Sequence, residues 1–162
     1  MTATLKRTFD VPIPDNGTTD LTIKGLLVTN NNKLVIAQEE VVGYGSKTKV
    51  MVVSLDNVDE IKEIDMGASE EFADMTLLSD GLVAIALMYD EKILLVDVSG
   101  AEPVTSASLT PSREYAQFGV AAGTGDELII AGWTTDYVGH VDVMSRQEMV
   151  QSAPRTRYAE WK

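Results

Sequence analysis

The chain has one histidine, His140, and no cysteine. Thiolate chemistry, disulfides and sulfur-ligated metal sites are therefore excluded, and no histidine cluster can form. The nearest approach to a hard-cation loop is the acidic stretch 56–60 (DNVDE), which lacks the glycine and terminal glutamate of an EF-hand loop. Gly43 and Gly45 are spaced as in a phosphate loop, but no helix follows and no GxGxxG is completed. No serine, threonine or lysine stands in a recognisable nucleophile–base pattern. The expectation is a chain with no catalytic residues, no metal and no cofactor, and hence not an enzyme. Asp97 and Asp142 recur at the end of similar apolar runs, with Ser54 in the first copy, as residues that bond to a following turn would. His140 reads as a packing residue.

The remaining candidates are aromatic. Trp133 follows an apolar run, in the segment 132–137 (GWTTDY), and Tyr137 closes that segment. Tyr44 sits in a longer insertion, residues 38–48. Exposed Trp and Tyr in loops anchor partners, because they offer a large apolar area at small entropic cost. Tyr44, Trp133 and Tyr137 are the expected contact residues. Two further sets recur at a spacing of 43: Phe72, Tyr115 and Tyr158, and Met75, Phe118 and Trp161. These read as packing keys between repeats.

The elements that must position these residues repeat. The run 49–55 (KVMVVSL) returns at 92–98 (KILLVDV) and at 137–143 (YVGHVDV), shifted by 43 and then 45 residues. Upstream of each lies a second apolar run, at 34–37, 82–86 and 128–131, shifted by 48 and then 46. Each upstream run follows a turn rich in Asn, Asp, Ser or Gly, at 30–32, 79–81 and 123–126. Short β-branched runs bounded by such turns are strands. More polar strands follow at 61–66, 104–109 and 149–152, and inner strands precede the turns at 21–28, 71–75 and 114–118. Residues 66–72 have room for one short helical turn.

Four strands in about 45 residues is the period of a β-propeller blade. The fold is all-β: three four-stranded antiparallel blades, at 21–67, 68–111 and 112–153, with an extra strand at each end. Residues 1–16 read as the outer strand of a preceding blade, and 154–162 as the start of a following one. Closed propellers have roughly four to eight blades, so three make an incomplete ring. Its missing blades are expected from a longer chain, of which this is a fragment, or from self-association.

The segments 23–34 (IKGLLVTNNNKL), 78–84 (LSDGLVA) and 92–98 resemble blades of the NHL-repeat type, as found at the C-terminal end of tripartite-motif proteins. The resemblance covers roughly residues 21–153, without the Asn-His-Arg style signature after the second strand. It implies a propeller that recognises proteins or, in some members, structured RNA through a basic face. No family residue carries over as a ligand.

The net charge of −12 comes from 25 acidic and 13 basic residues, and the basic residues are scattered. That balance repels polyanions and argues against nucleic acid. No apolar run reaches a membrane span, and 1–9 lacks the plan of a secretory signal. The functional expectation is a cytoplasmic scaffold that holds a protein or peptide by loops on one face. The alternatives are a lectin-like propeller assembled from several chains and a fragment of a larger propeller enzyme.

Overall fold

The computed structural model describes residues 21–42, 45–57, 59–66, 71–88 and 91–147. Every named element among them is a strand, and the strands form three antiparallel sheets. Sheet 1 runs β1 (Leu21–Val28), β2 (Lys33–Val42), β3 (Gly45–Ser54) and β4 (Ile61–Ile64), in spatial order. Sheet 2 repeats the plan with β5 (Phe72–Leu77), β6 (Val83–Leu87), β7 (Lys92–Asp97) and β8 (Val104–Leu109). Sheet 3 has β9 (Gln117–Ala122), β10 (Glu127–Trp133) and β11 (Gly139–Ser145). The expected strand at 149–152, and the extra strands at either end, lie outside the described residues, as does most of the short helical turn expected at 66–72. Phe72 itself opens a strand.

These are propeller blades, stacked but not closed into a ring. Sheet 2 is the middle layer and is buried on both faces: all five residues of β6 are inaccessible. Val83, Ile85 and Leu87 pack with Val35, Ala37, Val50 and Val52 of sheet 1. Ala84 and Ala86 face the other way and pack with Phe118, Val120, Leu128 and Ile130 of sheet 3. Burial of each Val, Ile or Leu contributes about 1.5–3 kcal/mol, so these two seams hold the stack. The outer strand β8 is mostly exposed, which accounts for its Thr and Ser content.

Each first hairpin turns in the same way. Thr29 N donates to Lys33 O at 2.9 Å, Leu78 N to Leu82 O at 2.9 Å, and Gly123 N to Glu127 O at 3.0 Å. Asn32 and Gly81 take positive φ at the same place in the first two turns, where Asn and Gly are tolerated best.

Cross-strand register corrects three of the spacings expected from sequence. The turns make Lys33, Leu82 and Glu127 equivalent, so the second strands recur at 49 and 45 residues rather than 48 and 46. The third strand of sheet 3 is displaced as well. Ala86 pairs with Ile93, and its equivalent Ala131 pairs with Val141, because the β10–β11 connection is longer. Asp142 therefore stands where Leu94 does, and Ser145 where Asp97 does. Finally, β1 and β5 carry a bulge at Lys24 and Ala73, whereas β9 has none. The extra residue puts Phe118, not Tyr115, in the place of Phe72, and Val120 in the place of Met75. Tyr115 precedes β9 altogether.

The inner strands approach closely. A Cβ on Gly25 would lie 2.9 Å from the Phe72 ring, so β1 has no space for a side chain there.

Candidate functional site

Connections between second and third strands share one end of the stack with the start of each inner strand. At that end β5, β9 and the tail of β10 line a wide-open cleft of about 290 Å³. Asp74, Phe118, Gly119, Gly132 and Trp133 contribute to its walls. The size is at the lower limit for a small-molecule pocket. Asp74 organises the seam beside it: Oδ2 accepts from Val120 N across the sheets at 3.0 Å, and Oδ1 accepts from Met75 N at 2.8 Å. A Cβ on Gly119 would meet that carboxylate at 2.9 Å, so glycine is what lets Asp74 reach the β9 backbone.

Trp133 is the last residue of β10 rather than a loop residue. Its carbonyl accepts from Ala116 N at 2.8 Å, and its side chain is 51% exposed at the rim of the cleft. The following turn is closed by Tyr137 N donating to Thr134 O at 2.9 Å, and by Thr134 N donating to Val138 O at 3.1 Å. The Thr134 hydroxyl donates to Asp136 Oδ1. That bond holds the Asp136 carboxyl below the usual carboxylate range. Tyr137 has φ 63° and is 92% exposed. A bulky residue in the left-handed region costs about 1–3 kcal/mol, so the turn holds an aromatic ring out in solvent against a local penalty. The structure thus places Trp133 and Tyr137 at the two ends of one connection. Tyr44 lies outside the described residues.

His140 and Asp142 belong to a cluster that the spacing of the sequence did not reveal. Both point from β11 toward the seam with sheet 2. The Arg113 guanidinium, from the β8–β9 connection, donates to both Asp142 oxygens, Nε at 2.7 Å and Nη2 at 3.1 Å. Nη1 lies 3.0 Å from His140 Nδ1, which accepts from it because guanidinium only donates. The buried Tyr115 hydroxyl donates to Asp142 Oδ2 at 2.6 Å. Arg113 and then Tyr115 hold the Asp142 carboxyl below its ordinary range. Burial first, and Asp142 second, push the Tyr115 hydroxyl upward. The arrangement is a clamp: all three guanidinium nitrogens and the Tyr115 hydroxyl converge on Asp142 and His140. Asp142 thus departs from the turn-bonding role expected for it, whereas Asp97 keeps that role by accepting from Ser99 N at 2.8 Å. One signal was available, the alternation of His140 and Asp142 on one face of a strand.

At the acidic stretch, Glu60 N donates to Asn57 O at 3.1 Å. Asp56 Oδ1 accepts from Asn32 at 2.6 Å, and Asn57 donates to Glu60 at 3.1 Å. Among the described residues no three His, Asp or Glu side chains gather as a metal site, and no helix is long and apolar enough to cross a membrane.

No family model matches the sequence, and no curated protein matches it. The NHL likeness is therefore one of blade pattern alone. Among solved structures, the chain is similar to a selenomethionine-substituted virginiamycin B lyase from Staphylococcus aureus, at 13% identity and a TM-score of 0.44. That match covers 83% of this chain and 58% of the lyase. It is also similar to a catalytically inactive variant of that lyase with quinupristin, at 13% identity and a TM-score of 0.43, over 82% of this chain and 57% of the other. The chain thus spans less than two thirds of the structures it matches. Both are structures of an enzyme, which overturns the expectation that a chain of this kind is not one. At this identity and TM-score the likeness carries no argument for a particular reaction here.

Proposed function

We propose that the chain is a binding scaffold that holds a protein or peptide at the end of the stack carrying the β10–β11 connection. The observation that carries this reading is the exposure of Trp133 at the rim of the cleft and of Tyr137 at the far end of the same connection. A ring at a cleft rim, presented by a rigid strand, loses little entropy on contact and buries a large area. The net charge of −12 favours a segment that combines basic and apolar residues over an acidic one.

The test is selection of peptides from a displayed random library against the purified chain, with Trp133→Ala/Tyr137→Ala as the counter-target. Support would be enriched basic–aromatic peptides whose affinity falls at least about tenfold in the variant, a loss typical of an anchoring aromatic. Enrichment that is indifferent to both substitutions would refute the reading. So would a glycan array in which sugars, rather than peptides, depend on Trp133.

A further inference from the structure

Among the described residues, one surface repeats three times and is covered twice. In sheet 1 the cross-strand pairs Val35–Val52 and Ala37–Val50 face sheet 2. In sheet 2 the equivalent pairs Ala84–Leu95 and Ala86–Ile93 face sheet 3. All eight side chains are buried, none more than 5% exposed. In sheet 3 the same positions hold Ile129–Val143 and Ala131–Val141. This quartet is equally apolar, yet Val141 is 70% and Val143 58% exposed. No charge interrupts it. The opposite end of the stack is also open. There β1 turns Ile23, Leu26 and Val28 away from sheet 2, and all three are exposed, Leu26 at 61%. The neighbouring positions of β2 and β3, Ile36 and Met51, are covered, so the open strip at that end runs along β1.

We infer that the open face of sheet 3 seats the β1 edge of a second copy of this chain, head to tail. The argument is continuity. The quartet is the docking half of an interface formed twice inside the molecule, and the open β1 strip is the inner-strand part of its counterpart: Ile23 and Leu26 hold the places of Phe118 and Val120, which pack on the quartet of sheet 2. Contiguous apolar faces of this kind mark interaction sites, and contact between unlike faces is heterologous, closing into a ring when the rotation permits.

The polar clasp of the internal seams does not extend to this one. Asn31 Nδ2 donates to Val98 O at 3.2 Å across the first seam, and Asp80 pairs with Arg146 at 2.7 Å across the second. The equivalent residue on sheet 3 is Gly125, which has no side chain to offer. Apolar burial alone drives the association, against the mutual repulsion of two chains of charge −12. Salt therefore tightens it, by screening that repulsion. Glu39 and Met88, the equivalents of Trp133, stay half-buried at the rims of the covered quartets. Trp133 therefore becomes a half-buried rim residue of the contact in the assembly, and this inference does not rest on the peptide-binding reading.

Sedimentation velocity over a range of concentrations tests it, with circular dichroism and melting to confirm folding. The wild-type chain associates reversibly and more tightly at high salt. Val141→Lys/Val143→Lys weakens association at least about 100-fold, the effect of forcing unpaired ammonium groups into the contact. Leu26→Lys/Val28→Lys does the same from the other end; if it melts early, Leu26→Ser is read instead. Mixing the two variants restores a heterodimer through the one intact interface. A wild-type chain that stays monomeric overturns the inference, and so does association that survives both pairs of lysines. Loss caused by the sheet 3 pair alone also overturns it, because it means that like faces meet.

Discussion

The two seams inside the molecule share a geometry and differ in chemistry. At the position where the third strand meets the preceding sheet, sheet 2 has Leu94 and sheet 3 has Asp142. Leu94 needs only neighbours of the right shape. A carboxylate in the same place must be given donors, and the β8–β9 connection supplies them through Arg113 and Tyr115. At this position the first seam is therefore held by volume and the second by charge. A polar clamp is directional, so it fixes the path of a connection that apolar packing alone leaves loose.

The largest effect that separates the seams should come from Ile85→Ala. Ile85 is inaccessible in the first seam, and the cavity left behind costs about 3 kcal/mol, read as a lower urea midpoint. Tyr115→Phe should act on the second seam alone. It removes one donor to Asp142, costs about 1 kcal/mol, and speeds amide exchange in β9 and β11 before β6.

Acid sharpens the contrast further. The folded Asp142 carboxyl titrates below its unfolded value, so its stabilisation is complete above the ordinary carboxylate pKa of about 3.9 and is lost as pH falls through the lower, folded value. Melting temperature should drop below about pH 4 more steeply in the wild type than in Asp142→Leu/Tyr115→Phe, which gives sheet 3 the apolar solution of sheet 2. An equal slope in both would mean that the clamp has no energetic weight. The smallest effect belongs to Lys62, whose exposed pairing with Glu102 spans the first seam. Lys62→Met should leave the melt unchanged at any salt concentration, since solvent and ions compete for such pairs.

Much of the architecture was legible in the sequence because apolar runs and turn residues report on burial and chain reversal directly. Runs such as 82–86 and 92–98 are strands for the reason that they looked like strands: their residues fill a layer covered on both sides. What misled was phase. The motif ending in Val141-Asp142-Val143 looks like the one ending in Val96-Asp97-Val98, but the longer β10–β11 connection slides it by three residues. Asp142 thereby leaves the role of Asp97 for that of Leu94. The Arg113 clamp was invisible for a related reason. Arg113 and Asp142 are distant in sequence and meet only when the connection before β9 folds over β11. Trp133 and Tyr137 were singled out as aromatics flanking a turn, but the left-handed backbone that holds Tyr137 in solvent has no signature in composition.

The unequal bulges on the inner strands reach beyond this one chain. Side chains alternate with a period of two, so the residue inserted at Lys24 or Ala73 reverses the facing of everything before it. Gain or loss of a single codon is enough to convert the β5 arrangement, with Phe72 three residues before Met75, into that of β9, where Phe118 is two residues before Val120. Repeats that have diverged by such steps keep their shape while their letters fall out of alignment. Descent among them is better traced through hydrogen-bond ladders than through matching residues.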